Sequence, residues 1–356
     1  MKNKETLTQE AIALLKNLIE TQSFSSEEEH TAVLIENWFA VNAIPFEREN
    51  NNIWAYNKSF DKNKPTLLLN SHHDTVRPNQ AYTKDPLKAI VEDGKLYGLG
   101  SNDAGGCLVS LLATFVHFYA AENLPYNIVI VASAEEESSG KNGLNSVLKS
   151  LPELECAIVG EPTLMQLAIA EKGLLVLDVK IKGTPSHAAH QNEDNALYKT
   201  IPVMEWFKNY TFEKVSEQLG PVKMTVTQIN AGKQHNVVPS QCDIVVDIRV
   251  NDCYTNHEIL AIVQEQLNAE VTPRSMNLSS SSIPENHGLV QAGIALGRTT
   301  YGSPTLSDQS VLSCKSLKLG PGDTLRSHSA DEFIYLNEIE EGIDLYIKIL
   351  SDFLKQ

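Results

Sequence analysis

The chain has 356 residues, of which 42% are hydrophobic and 21% charged, a balance that suits a folded protein of two domains rather than a disordered segment. Its formal charge of −16 repels phosphate backbones and anionic bilayers, so neither a nucleic-acid nor a membrane partner is expected. No apolar stretch approaches the roughly 20 residues of a membrane span, and the N-terminus leads into an amphipathic pattern rather than a signal core. The five cysteines (Cys107, Cys156, Cys242, Cys253 and Cys314) are scattered and form no Cys-x-x-Cys pair, so the expected location is the cytoplasm.

In chain order, Ala11, Leu14, Leu15, Leu18 and Ile19 share one face of a 3.6-residue period and predict a first helix. Ser25 and Glu28 read as a capping box for a second amphipathic run through Trp38. Short apolar runs at residues 66–70, 128–134 and 156–160 predict strands, and the patterns at 106–121 and 142–151 predict helices between them. That alternation predicts an α/β catalytic domain, a mainly parallel sheet with helices on both faces. After Gly173 the texture changes to alternating or β-branched strands at 174–182, 223–229 and 243–250, with helices between, which predicts an inserted α+β domain. A Ser-rich stretch at 278–282 marks its end, and an amphipathic helix around 339–354 rejoins the first domain. The expected division is residues 1–173 with 283–356, and residues 174–282.

The chemistry gathers at strand ends. In Asn70-Ser-His-His-Asp-Thr-Val76 an extended chain points His72 and Asp74 to one side and His73 to the other, a spacing that suits a metal-binding imidazole with an orienting carboxylate and also suits an ordinary loop. Asp103 lies among Gly98, Gly100, Gly105 and Gly106 just before a helix, where the spacing fits neither a dinucleotide fingerprint nor a P-loop. Glu135, Glu136 and Glu137 follow a strongly apolar strand and repel one another unless a cation or solvent compensates them. Glu161 follows the next strand, and His328 lies between Gly320 and Glu332. Together His72, Asp103, Glu137, Glu161 and His328 offer the mixture of nitrogen and oxygen ligands that two zinc ions sharing one carboxylate need.

Taken in order, these motifs resemble the aminoacylase, acetylornithine deacetylase and carboxypeptidase-G family of di-zinc metallopeptidases, which includes succinyl-diaminopimelate desuccinylase. The resemblance covers nearly the whole chain and is closest to acetylornithine deacetylase. It implies that His72 and His328 each bind one of two Zn2+ ions (Co2+ or Mn2+ being substitutes), that Asp103 bridges them and that Glu137 and Glu161 complete the sites. It further implies Glu136 as general base and Asp74 as the group that orients His72. In the inserted domain, Gly183-Thr-Pro-Ser-His-Ala-Ala189 resembles the motif whose His reaches a partner subunit's site, which implies His187 as transition-state stabiliser, a homodimer, and a dimerisation or lid role for that domain. Asn236, Arg249 and Gly322 fall in segments that resemble substrate-holding ones. The implied reaction is hydrolysis of a small N-acyl amino acid, foremost N-acetyl- or N-succinyl-ornithine or citrulline in arginine biosynthesis. The rivals are a desuccinylase, a di- or tripeptidase and, from another class, a non-catalytic metal-bound binding protein that would have no need of Glu136.

Three positions depart from the family's pattern. Gly105 stands where Lys is frequent, the stretch after His187 is shorter around Asn195, and Pro304-Thr-Leu-Ser-Asp308 replaces Gly-Thr-Ser-Asp. These departures bear on substrate preference, because none removes an implied ligand or the base.

Overall fold

The computed structural model describes residues 2–355, which divide into two compact units. One comprises residues 2–169, 282–301 and 307–355, the other residues 170–281 and 302–306. No helix among the described residues is long and apolar enough to cross a membrane.

The first unit is built on part of a nine-stranded mixed sheet in which Glu47–Glu49, Asn52–Tyr56, Asn127–Ser133, Thr66–His72, Leu154–Val159 and Lys315–Lys318 lie side by side in that order. The last four of these pair in parallel, whereas the first two are joined to the sheet antiparallel. Both Thr66–His72 and Asn127–Ser133 are buried along their whole length, as parallel strands covered on both faces must be. Alternate residues serve opposite faces. Leu67, Leu69, Ile128 and Ile130 join a core with the helices Lys4–Ile19, Gly106–Phe118 and Leu336–Phe353, while Leu68, Val129 and Val131 join Trp54, Leu144 and Val147 on the other side. The antiparallel edge strands are the part of this sheet that the βα alternation does not announce.

Two local expectations are corrected. The second helix spans Glu29–Val41 with no side-chain cap, so the Ser25–Glu28 capping box does not form. Ser25 instead donates its hydroxyl to Asp74 Oδ2 at 2.6 Å, a charge-assisted bond that outcompetes a helix amide. The helix expected over 142–151 shrinks to Leu144–Val147, because Asn142 gives its backbone and side-chain N–H groups to the Glu135 carboxylate, both at 3.0 Å.

The second unit holds a four-stranded antiparallel sheet, ordered Lys223–Ala231, Gln241–Val250, Gly173–Lys182, Glu270–Pro273. Gln241–Val250 alternates buried and part-buried residues, the period of two expected of a sheet with one face on a core. The helices Ala196–Asn209 and Asn256–Gln266 supply Val203, Phe207, Ile259 and Val263 to that core. Thr255 and Glu258 form a reciprocal capping box at the start of the latter helix.

Candidate active site

The site assembles at the carboxyl ends of the four parallel strands, where open α/β sheets bind ligands. Register places the ends side by side: His72 pairs with Ser133, Asn70 with Val159, and Lys318 with Val159. His72 is the last residue of its strand, and the other three parallel strands, Asn127–Ser133, Leu154–Val159 and Lys315–Lys318, lead into Glu135 to Glu137, Glu161 and the loop that carries His328. Asp103 arrives from the turn before the Gly106–Phe118 helix, where its backbone leaves helical geometry at φ −120°, ψ 98°. Glu135 (φ 53°) and His328 (φ 56°) both take the left-handed backbone that non-glycine residues avoid unless their surroundings hold them there.

His72 Nε2 lies 3.3 Å from Asp103 Oδ1, 3.8 Å from Glu161 Oε1 and 3.9 Å from Glu136 Oε2. His328 Nε2 lies 2.9 Å from Glu137 Oε2 and 3.8 Å from Asp103 Oδ2. The two oxygens of Asp103 therefore face different imidazoles, and four carboxylates converge on two rings. On its other side His72 Nδ1 is 3.0 Å from the Asp74 carbonyl oxygen and 3.4 Å from its carboxylate, which places the ring proton on Nδ1 and leaves Nε2 as a lone pair. That Nε2 is buried and has no hydrogen-bond partner. A buried lone pair ringed by carboxylates is satisfied by a cation or by holding a proton, so the donor set fits metal ions. Two groups of three, His72 with Asp103 and Glu137 and His72 with Glu136 and Glu161, bring ligand atoms close enough to share an ion.

Without a cation the cluster holds protons instead. Burial, reinforced by the Asp103 charge, pushes the Glu161 carboxyl up to about 8. Burial also drives Glu136 well above the carboxylate range. The Glu137 contact lifts His328 to about 9. Burial works against a charged His72, but Asp103 and Asp74 outweigh it and raise the imidazole.

Asp74 does more than face His72. Its carboxylate accepts the backbone N–H groups of Glu136 at 3.0 Å and Glu137 at 3.1 Å as well as the Ser25 hydroxyl, so one side chain sets both the imidazole and the adjacent glutamates. His73 points away to Thr31 Oγ1 and the Asn51 carbonyl, and burial lowers it to about 4, neutral at physiological pH. Gly322, at φ 89°, sits where a Cβ would lie 2.5 Å from Asn102 Oδ1, so a side chain at this loop position is excluded. The space at Gly105 belongs to the core: a Cβ would fall 2.4 Å from the Gly100 carbonyl and 2.6 Å from Leu15 Cδ1. A lysine has no room there.

Three supporting residues escaped the sequence reading. Asp308 accepts Asn70 Nδ2 at 2.8 Å and the Ser133 hydroxyl at 2.6 Å, joining the strands that carry His72 and the glutamates. Asn102 and Glu332 join the loops of Asp103 and His328. The only advance signal was position: Asn102 adjoins Asp103, Glu332 follows His328 by four residues, and Asp308 ends the 304–308 stretch.

In the second unit, Ser186–His187 pairs antiparallel with Val237–Val238, and the Ala188 N–H donates to the Asn236 carbonyl at 2.9 Å, so His187 and Asn236 are neighbours. Arg249 lies in the four-stranded sheet, at the end away from Lys182 and Gln241. It pairs with Leu174, whereas Gln241 pairs with Lys182, and its guanidinium is engaged by Asp247 at 2.9 and 3.1 Å.

Imidazoles and carboxylates that could hold cations, gathered at the carboxyl ends of parallel strands in an α/β sheet, point to the metallohydrolase class. The family is fixed by comparison: residues 68–352 match peptidase family M20/M25/M40, and the chain belongs to it. It is 26% identical to the acetylornithine deacetylase of Shigella sonnei over 96% of this chain and 97% of that protein. It is 24% identical to a succinyl-diaminopimelate desuccinylase of Acidiphilium cryptum, over 96% and 97%. Among solved structures, the M20 metallo-carboxypeptidase Sso-CP2 of Sulfolobus solfataricus superposes with a TM-score of 0.77 at 15% identity, covering 98% of this chain and all of that one (100%). The YXEP protein of Bacillus subtilis, a dinuclear metal-binding peptidase of the family, gives 0.72 at 15% identity, covering 98% and 99%. The fold is thus the family's mixed α/β fold, and the chain is an amidohydrolase.

Proposed function

We propose that the protein removes the acyl group from a small N-acyl-L-amino acid, foremost N-acetyl- or N-succinyl-ornithine or citrulline, using two zinc ions per subunit. The observation that carries the two-metal reading is Asp103, whose two oxygens face His72 on one side and His328 on the other. In this reading His72 and Glu161 hold one cation, His328 and Glu137 the other, and Asp103 both. The bound cations supply Lewis acidity toward the amide carbonyl and a water acidified to near neutrality.

The chain's own residues do the rest. Glu136, beside His72 and Glu161 but outside both ligand pairs, accepts a proton from the attacking water and passes it to the leaving amine as the C–N bond breaks. Asp74 keeps the proton on His72 Nδ1 and fixes the backbone of Glu136 and Glu137. His187 is assigned to the partner subunit's site, as hydrogen-bond donor to the oxyanion that develops there, with Asn236 beside it in its own chain. Arg249 and Gly322 are assigned to the substrate's carboxylate and its loop. The division into a catalytic and an inserted domain gives the latter the role of lid and dimerisation module. An exposed edge strand, Lys223–Ala231 with Ile229, and the exposed Leu197, Tyr198 and Ile201 on the Ala196–Asn209 helix support a homodimer. The five free thiols suit the cytoplasm.

The ornithine preference draws support from the full-length deacetylase match, and the nearly equal desuccinylase match makes N-succinyl-diaminopimelate the second reading. Amine release from N-acetyl- and N-succinyl-ornithine, citrulline and diaminopimelate, alongside dipeptides, tests both, with Glu136→Gln as the blank. Preference for ornithine or citrulline derivatives supports arginine biosynthesis. Preference for succinyl-diaminopimelate or dipeptides removes it.

A further inference from the structure

Glu332 is buried, at 2% exposure, four residues beyond His328, and its partners are backbone amides rather than a cationic side chain. Its Oε1 accepts the N–H groups of Asn102 at 2.8 Å and Asp103 at 2.9 Å, and its Oε2 that of Gly100 at 3.2 Å. Its own carbonyl takes the N–H of Gly98 at 3.0 Å. One residue therefore satisfies four amides of the turn that presents Asp103. These amides precede the Gly106–Phe118 helix, and the backbone at Asp103 is not helical. The clamp is reciprocal: Asn102 Oδ1 accepts the Asp323 N–H at 3.0 Å, and Asn102 Nδ2 donates to the Asp323 carbonyl at 3.1 Å.

A carboxylate that must serve two cations needs its Cα–Cβ direction fixed, because a small rotation that favours one ion forfeits the other. The Gly98–Asp103 turn contains two glycines at positive φ, Gly98 and Gly100, and has little stiffness of its own. Burying a carboxyl group with no cationic partner is costly and drives the acid toward its neutral form. A purely structural tie between two loops could be made by an Asn or Gln at no such cost.

We propose that Glu332 is a positioning residue for the bridging carboxylate: by clamping the Asn102 and Asp103 amides it sets Asp103 for both cations and couples that turn to the loop of His328. The inference rests on the two-metal reading above. It extends that reading to a residue that touches neither ion.

The experiment measures zinc affinity by chelator competition, and the visible absorption of the cobalt-loaded protein, for wild type, Glu332→Gln and Glu338→Gln. Glu338 forms an ion pair with Arg326 at 2.7 Å on the same segment, and its hydrogen bonds go to Arg326 and the Tyr335 N–H rather than to the amides of the Asp103 turn, so its variant reports a merely structural loosening. Glu332→Gln keeps one acceptor oxygen and turns an NH2 toward amide donors. It is expected to weaken zinc binding about 10–100-fold, the usual effect of losing a group behind a ligand, and to shift the cobalt spectrum. Glu338→Gln should lower thermal stability and leave both readouts unchanged. Equal zinc affinity in Glu332→Gln and wild type, or equal losses in the two variants, overturns the proposal. A wild type that binds no metal overturns the reading beneath it instead. If Glu332→Gln yields no folded metal-free protein, hydrogen exchange of the Asn102 and Asp103 amides in wild type decides. Protection up to global unfolding is required, and exchange at loop rates overturns the clamp.

Discussion

Replacing Asp74 by Asn tests the inner architecture of the site with almost no change in shape. The Asp74 carboxylate has four partners: His72 Nδ1 at 3.4 Å, the Ser25 hydroxyl at 2.6 Å, and the Glu136 and Glu137 amides at 3.0 and 3.1 Å. An asparagine offers one acceptor oxygen. If that oxygen serves Glu136, its NH2 meets the Glu137 N–H donor to donor, while the Ser25 hydroxyl can turn to accept. One amide left unpaired costs about 1–3 kcal/mol, and at about 2.1 cal/mol/K of unfolding entropy per residue each kcal/mol lowers the melting temperature of a 356-residue chain by about 1–2 °C. Loss of the charge behind His72 should also weaken zinc binding about 10–100-fold. Thermal unfolding of the metal-free protein gives the first figure and chelator competition the second. Ser25→Ala, which removes only the half-buried hydroxyl, should show a smaller loss in both. An Asp74→Asn protein with wild-type melting temperature and zinc affinity would refute the assignment of Asp74 as the group that sets His72 and the glutamates together.

Glu136→Gln should keep its metal content and lose about 10²–10⁴-fold in turnover; loss of a metal equivalent would exchange its role with that of Glu137. His187→Ala should lower turnover about 10²–10³-fold with metal content unchanged, and unaltered kcat removes it from oxyanion stabilisation. The metal-free protein should lose stability between pH 6 and pH 9. His328, held at about 9 by Glu137, contributes stability that is fully present below the ordinary imidazole range and lost as the pH rises through 9. Glu161 and Glu332, raised from 4.5 to about 8 chiefly by burial, add a loss in the same direction that begins near pH 4.5 and ends near pH 8. A melting temperature that rises with pH in metal-free protein contradicts this. Zinc affinity should change in the opposite sense, since binding displaces those protons.

The parallel strands were legible because strands buried on both faces are continuous apolar runs, and the polar residues that interrupt the ends of those runs were the ligand candidates. His72 and His73 separated as an extended chain requires, one toward the carboxylates and one toward Thr31 and Asn51. What stayed hidden depends on distant partners. Asn70 and Asp308 are 238 positions apart, Asn102 and Glu332 230, and nothing local in either sequence marks such a pair. Ser25 misled for the same reason: its spacing to Glu28 suits a capping box, but a buried carboxylate 49 residues away takes its hydroxyl. The strands Glu47–Glu49, at the sheet's edge, and Asn52–Tyr56 beside it are short and pair antiparallel, so they lack the long apolar run that reveals the centre of the sheet.

The most direct test of the two-metal account is elemental analysis of zinc-reconstituted protein, wild type beside His72→Ala and His328→Ala. The account predicts two equivalents per chain in the wild type and one in each variant. A single equivalent or none in the wild type, or two in either variant, would contradict it.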